Sequence, residues 1–202
     1  MESLKNQNLR DLHIIVIDDN SNDNTKIFVE KFKKKYTKLK LLDGMKLPDG
    51  WVGKVWALKQ GVDQALEKNY DYFLFIDSDI FIYPGTIEKV INFIETKNLK
   101  MLSLMAKLNC NSFWEKFLIP PFIFFFQKLF PFARVNNKND KLSAAAGGFI
   151  LCQSKLFMKN NLYEQIKSKL IDDCNIAKLI KSHGPIWLGL TNMVKSQRSY
   201  ET

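Results

Sequence analysis

Tyr72-Phe73-Leu74-Phe75-Ile76-Asp77-Ser78-Asp79 is the stretch on which the fold turns. Five apolar, largely aromatic residues bounded by polar chain read as a short buried strand. The run ends in two carboxylates separated by one serine. In extended chain, residues i and i+2 point the same way, so Asp77 and Asp79 are expected to converge at the carboxyl end of that strand. Each acid raises the pKa of the other unless a cation lies between them. Their hard oxygen donors suit Mg2+ or Mn2+, which leave positions open for substrate phosphates. A solvated strand-end turn accounts for the same residues with no metal, so the pair has to be weighed with its surroundings.

Upstream, His13-Ile14-Ile15-Val16-Ile17 is a second β-branched run, and it too ends in acids, Asp18-Asp19. Asn20 to Asn24 is turn chemistry, and Thr25 can cap a helix beginning there. Phe28, Phe32, Tyr36 and Leu39 then recur at helical spacing with lysines between them. Leu39 to Leu42 suits a further strand, and Val55 to about Leu66 a helix. Downstream, Pro84 opens a helix carried by Ile87, Val90, Ile91 and Ile94, and Met101 to Ala106 suits a strand. Strand and helix signals alternate from His13 to Ala106. That predicts an α/β domain with a mostly parallel central sheet flanked by helices, in which ligands sit at the carboxyl ends of strands. Both acidic clusters fall there.

The second half differs. Phe113 to Ala133 is rich in Phe, Pro and Leu, with Lys116, Gln127, Lys128 and Arg134 at its edges. Gly147-Gly148 precedes the strand-like Phe149 to Cys152. Asp172-Asp173 opens a helix with Ile176, Leu179 and Ile180 on one side, and Gly184 stops it.

Composition bounds the class. The chain has 202 residues, 46% apolar and 25% charged, the mix of one folded domain. A net charge of +9 favours anionic partners: phosphate-rich ligands, an anionic membrane or nucleic acid. Nucleic acid ranks last, because the lysines crowd one helix (Lys33-Lys34-Lys35) with no interleaved exposed aromatics. Cys110, Cys152 and Cys174 form no CxxC, which argues against a disulfide scaffold or a zinc site. His13 and His183 are the two histidines, too few for a histidine metal site. The polar Met1 to Leu12 has no signal-peptide core. The apolar run Phe117 to Phe126 is too short to span a bilayer and is broken by Pro120-Pro121.

Three further groups could carry chemistry. Asp18 and Asp19, with the polar turn behind them, offer acceptors to base and ribose; an Asx-rich turn is the plainer reading. Trp51-Val52-Gly53-Lys54 follows Pro48-Asp49-Gly50, and Lys54 could meet a phosphate, although the P-loop spacing is not satisfied. Trp51 serves equally as a stacking or a packing residue. Asp172 and Asp173 suit the dipole of the helix they open, and a general base fits there as well.

The ordered set is more specific than its parts: Val16-Ile17-Asp18-Asp19-Asn20-Ser21, Gly50-Trp51-Val52-Gly53-Lys54, Asp77-Ser78-Asp79, Gly147-Gly148-Phe149, Asp172-Asp173. It resembles the family 2 glycosyltransferases with their GT-A-type, Rossmann-related fold. The stretches 51–58, 124–127, 144–148, 171–174 and 184–191 look most like the hopene-associated subgroup. The resemblance implies that Asp18 and Asp19 contact the nucleoside and that Asp77 and Asp79 hold a diphosphate-bound Mg2+ or Mn2+. It implies that Gly147 and Gly148 line the acceptor side and that Asp173 is the catalytic base, with Asp172 standing where the family has Glu. Lys54 and Trp51 are added as substrate-binding residues. The family's opening strand and Pro-x-x-Asn-Glu turn would lie before Met1, so the fold is expected to be incomplete at the N-terminus. Its membrane segments would come after Thr202. The Gln-x-x-Arg-Trp motif of processive enzymes is not matched, because Gln197 and Arg198 are adjacent.

The expectation is a single domain, 1–202, with a nucleotide-sugar half (1–106) and an acceptor half (107–202) carrying an apolar interfacial segment at 113–133. Its activity would be inverting transfer from a nucleoside diphosphate sugar, a UDP-sugar by preference, to an acceptor hydroxyl. A lipid acceptor and a membrane surface are favoured over burial of 113–133. The place of action would be the cytoplasmic side of a bacterial inner membrane, with this fragment itself soluble. The rivals are a nucleotide-binding or membrane-surface domain without turnover, and a nucleotidyltransferase.

Overall fold

In a computed structural model, which describes residues 1–199, the alternating signals become alternating elements. In chain order these are α1 (Glu2–Lys5), β1 (Ile14–Asp18), α2 (Thr25–Lys33), β2 (Leu39–Asp43), α3 (Gly53–Leu66), β3 (Tyr72–Ile76), β4 (Ile80–Ile82) and α4 (Thr86–Lys97). Next come β5 (Met101–Lys107), α5 (Phe113–Leu129), α6 (Phe132–Val135), β6 (Phe149–Gln153), α7 (Lys155–Lys159), α8 (Leu162–Gln165), α9 (Asp172–Lys181) and β7 (Ile186–Ser196).

The sheet departs from the mostly parallel expectation. β1 and β2 form a parallel pair, while five strands in the order β3-β6-β5-β7-β4 form a mixed sheet. Within it β5 and β7 run parallel, and β6 and β4 run antiparallel to their neighbours. The reversals have a consequence for the site. Phe149 at the start of β6 pairs with Ile76 at the end of β3, so the chain before β6 arrives beside Asp77. Ser196 at the end of β7 pairs with Ile80 at the start of β4, and so arrives beside Asp79. Antiparallel pairing brings late segments of the chain to the acidic turn.

Successive residues of a strand serve opposite faces. Ile150 and Cys152 of β6 enter one apolar cluster with Val55, Met101, Ile180 and Leu188. Phe149 and Leu151 enter the other with Ile82, Ile94, Leu102 and Val194. Burying a side chain of this kind contributes about 1.5–3 kcal/mol, which makes the five-stranded sheet the stable centre of the fold. No ladder joins β1 to β3 among the described residues. The His13 ring nevertheless lies 5.3 Å from that of Tyr70, and Ile15 packs against the same cluster as Phe75.

Some local expectations change. Asn24, not Thr25, occupies the N-cap of α2, and the Thr25 amide donates to Asp23 Oδ1 at 2.9 Å. That helix ends at Lys33, so Leu39 belongs to β2, and Val29 and Phe32 are its buried residues while Phe28 is exposed. Gly85 caps α4 in the left-handed region, at φ 74°, one residue after Pro84. Pro120 and Pro121 do not break the apolar segment: α5 runs through both. A capping box starts it, Ser112 accepting from the Glu115 amide while Glu115 accepts from the Ser112 amide. Among the described residues no helix is long and apolar enough to cross a membrane.

Candidate active site

The first wall of the site is the end of β1. Asp18 is 2% exposed. Its Oδ2 accepts from the Ser21 amide at 3.2 Å and lies 3.5 Å from Lys26 Nζ. Hydrogen bonding from Ser21 and the nearby ammonium of Lys26 outweigh burial and hold this carboxyl below the usual range. Its other oxygen, Oδ1, is buried with no hydrogen-bond partner among the described residues. A buried ionised oxygen without a donor is costly, so Asp18 Oδ1 calls for an N–H or O–H from outside the described chain, whether water or ligand. Asp19, exposed, comes next, between two glycines. A Cβ on Gly53 would sit 3.5 Å from Asp19 Oδ2, and one on Gly44 would sit 3.4 Å from Asp19 Oδ1 and 2.9 Å from the Asp18 carbonyl oxygen. The Gly44 amide donates to that same carbonyl at 2.8 Å.

The second wall is the turn after β3. Asp77 and Asp79 do not share an extended segment; the Ile80 amide donates to the Asp77 carbonyl at 3.2 Å and folds them into a turn. Their side chains take different partners. Asp77 Oδ1 lies 3.2 Å from Lys54 Nζ at the start of α3. Asp79 Oδ2 accepts from Ser196 Oγ at 2.5 Å and lies 3.9 Å from Arg198 Nε. The Gln197 amide donates to the Asp79 carbonyl at 2.8 Å.

Lys54 joins this turn to the start of α9. Its ammonium lies 3.6 Å from Asp172 Oδ2, and a Cβ on Gly147 would sit 3.5 Å from it. Partial burial works against the charged form of Lys54, but the carboxylates of Asp172 and Asp77 prevail and its pKa is raised. Asp173 also approaches Gly147, its Oδ2 3.3 Å from where a Cβ would stand. Burial raises the Asp173 pKa, against the lowering effect of the Cys174 amide, which donates to it at 2.7 Å. Asp172 raises it further; Lys54 and the Gly147 amide lower it. A carboxylate made more basic in this way suits proton abstraction. Lys54, Phe75, Asp77, Gly147, Tyr163 and Asp172 line one cleft.

The structure therefore gathers Lys54, Asp77, Gly147, Asp172 and Asp173, with Asp79 in the same turn and Asp18 and Asp19 at the neighbouring strand end. Two of the candidates are placed by packing contacts. Trp51 packs edge-on against Trp56, ring centroids 5.0 Å apart, and rests on the core. Gly148 is tight against β4 and β5, its Cβ position 3.1 Å from Ile80 Cδ1 and 3.6 Å from Ala106 Cβ. Sequence reasoning missed Ser196, Gly44 and Ser103. Ser103 Oγ donates to the Ala146 carbonyl at 3.0 Å and accepts from its amide at 2.9 Å, pinning the loop before Gly147 to β5. A lone serine inside the apolar run 101–106 was the available signal. Tyr200 lies outside the described residues.

Among the described residues no three His, Cys, Asp or Glu side chains gather as a metal cage. Asp77 and Asp79 each contribute one oxygen to the contacts above and retain a second. As a donor set they fit a hard cation that draws its remaining ligands from water and phosphate.

Residues 1–160 match the family model described as Glycosyl transferase family 2. A curated relative from Campylobacter jejuni, GalNAc(5)-diNAcBac-PP-undecaprenol beta-1,3-glucosyltransferase, is 31% identical over 91 residues, covering 45% of this chain and 28% of that protein. The crystal structure of S. aureus TarS superimposes with a TM-score of 0.67 at 22% identity, covering 98% of this chain and 33% of TarS. The complex of TarS 1–349 with UDP-GlcNAc gives 0.62 at 20% identity, covering 99% of this chain and 54% of that one. These structures show a shared fold.

Proposed function

The chain belongs to glycosyl transferase family 2, and from that premise we propose that it moves a sugar from a UDP-sugar to an acceptor hydroxyl with inversion. The observation that carries this reading is the meeting of Lys54, Asp77, Gly147 and Asp172 in one cleft, with Asp173 against Gly147.

Each residue has a part that its surroundings support. Asp18, with its unpartnered buried oxygen, receives a donor from the base or ribose, and Asp19 stands beside it. The ammonium of Lys54 turns from Asp77 toward the diphosphate. Asp77 and Asp79 would hold Mg2+ or Mn2+, which would supply charge neutralisation for the departing diphosphate. Gly147, without a side chain, leaves room between Lys54 and Asp173 for the reacting groups. Asp173 takes the proton of the acceptor hydroxyl as that oxygen attacks the anomeric carbon and the bond to the diphosphate breaks. Asp172 keeps Lys54 in place.

A lipid-borne hydroxyl is the acceptor we favour. The curated relative's name describes a lipid-linked acceptor, and α5 presents a large apolar surface. A hopanoid acceptor, action at the cytoplasmic face of an inner membrane, and the division into a donor half (1–106) and an acceptor half (107–202) rest on the sequence resemblance. The whole protein's reaction is proposed, since the chain spans about a quarter of the relative's length (28%). The alternative is a nucleotide-binding domain without turnover; among the described residues β1 and β2 form a pair apart from the five-stranded sheet.

A panel of UDP-sugars with Mg2+ or Mn2+, assayed for hydrolysis beside transfer to bacterial lipid extract, tests the proposal. Metal-dependent release of UDP from one sugar is expected. Tight UDP binding with no release under any condition would select the non-catalytic reading.

A further inference from the structure

We propose that α5 lies in the plane of an anionic lipid bilayer, inserted to the acyl boundary, and holds the acid cleft against the membrane. The proposal rests on the lipid-acceptor reading above and names the surface that would deliver such an acceptor.

The helix has two distinct sides. At about 100° per residue, Glu115, Ile119, Ile123 and Phe126 fall on one side. Glu115 and Ile119 are buried, and Phe126 packs on the core. Phe113, Trp114, Phe117, Leu118, Phe122, Phe124, Phe125 and Leu129 are each at least half exposed. The same helical spacing puts all eight within an arc of about 180°, turned away from the protein. An apolar face this continuous on a 17-residue helix is far more than scattered surface hydrophobics. The helix is too short to span a bilayer but long enough, about 25 Å, to lie along one.

Charge selects the occupant. Between residues 107 and 141 stand Lys107, Lys116, Lys128, Arg134, Lys138 and Lys141, all exposed, against Glu115 and Asp140. Glu115 is buried in the capping box, and Asp140 is paired with Arg134 at 2.7 Å. Lys128 falls within the same arc in the last turn of the helix, its ammonium over the Phe124 ring, 5.3 Å from the centroid. Ammonium groups around an aromatic face suit lipid headgroups above acyl chains. A second copy would bring the same positive rim against this one and be repelled.

Both ends of α5 are tied to elements that carry the acids. Before it, Asn109 Nδ2 donates to the Arg198 carbonyl at 2.7 Å, two residues beyond the Ser196 that holds Asp79. After it, Asn136 exchanges hydrogen bonds with Leu188 of β7 at 3.0 and 2.7 Å. Lys181 at the end of α9 donates to the Val135 carbonyl at 2.7 Å. A bilayer gripping α5 therefore fixes the cleft at the lipid surface.

The test is flotation of the full 202-residue chain with phosphatidylcholine vesicles, with and without phosphatidylglycerol. The double variant Phe117→Ser/Phe125→Ser and the single variant Trp114→Phe are run beside it. We expect binding at least ten-fold stronger to the anionic vesicles, a blue shift of tryptophan emission that Trp114→Phe removes, and loss of flotation in the double variant. UDP affinity, measured by calorimetry, stays unchanged in that variant and reports an intact fold. No flotation of the wild type, equal flotation of the double variant, or a dimer in sedimentation that the double variant dissolves would each overturn the proposal. Failure of the wild type to bind UDP would instead count against the function proposed above and leave the vesicle result standing.

Discussion

The ammonium of Lys54 stands 3.2 Å from a carboxylate oxygen of Asp77. It also lies 3.6 Å from Asp172, so one cation joins a strand-end turn to the first turn of α9 across the cleft. Both contacts are partly solvated, and their net stabilisation of the fold is small. In the function proposed above, Lys54 acts in ligand binding, where a diphosphate would offer it more negative charge than Asp77 does. Lys54→Met is expected to weaken UDP about ten- to hundred-fold, the range for one charge-assisted hydrogen bond. Calorimetry measures it, and unchanged affinity would remove Lys54 from the phosphate site.

Asp173 is expected to decide turnover without deciding binding. Asp173→Asn keeps the shape and removes the base, so transfer should fall about 10²- to 10⁴-fold while UDP affinity holds. Burial raises the Asp173 pKa in the folded chain. The acidic limb of kcat/KM against pH should therefore lie above the ordinary carboxylate range. Stability changes with a definite sign. A raised folded pKa means that this group's contribution is full below its unfolded pKa and is lost as pH rises through the folded one. Asp173→Asn should raise Tm at neutral pH and leave it unchanged in strong acid. Thermal melts at the two extremes check this.

Asp79 and Ser196 are hydrogen-bonded at 2.5 Å across a span of 117 residues. If Asp79 serves a divalent cation, Asp79→Ala should cost more than ten-fold in Mn2+-dependent UDP binding. Ser196→Ala removes the hydroxyl and leaves the carboxylate, so it should cost less of that binding than Asp79→Ala does, because the group that would meet the cation is kept. Equal losses in the two variants would mean that the serine contact, rather than a cation, is what Asp79 provides.

How far this site was legible in sequence depends on the range of the signals. Acids at strand ends, Gly147 and the opening of α9 are local features, because periodicity and turn chemistry act over a few residues. Which strands pair is not local. β6 and β7 enter the sheet antiparallel to β3 and β4. Nothing near Ser196 in the chain announces Asp79. Nor did the spacing of Asp77 and Asp79 foretell their different partners, because the i, i+2 rule holds for extended chain and the Ile80 amide folds them into a turn. Ser103 escaped for a related reason: one polar residue in a buried strand becomes meaningful only when the loop it pins is known.

Gly44 gives a test of the β1 end. A Cβ there would come within 2.9 Å of the Asp18 carbonyl oxygen, which is backbone and cannot swing aside. Gly44→Ala must push β1 away from the loop after β2 and displace Asp18 and Asp19. The cost is about 1–3 kcal/mol, as for other overpacked sites, or roughly 2–4 °C of Tm for each kcal/mol in a domain of this size. UDP affinity should fall with it. Alanine tolerated on both measures would place the nucleoside site elsewhere.

Pro121 lies inside α5, not at its edge, and that placement has a measurable cost. It supplies no amide to the Phe117 carbonyl, and its ring crowds that oxygen. Restoring the donor with Pro121→Ala adds one bond to the helix and removes the crowding. In a helix interior the exchange of proline for alanine is worth up to about 3 kcal/mol. Because Pro121 is exposed, no core contact is lost in return. Pro121→Ala should therefore raise both Tm and helical circular dichroism. A variant less stable or less helical than the wild type would show that the chain bends at the proline pair, and that the segment 113–129 does not form one continuous helix.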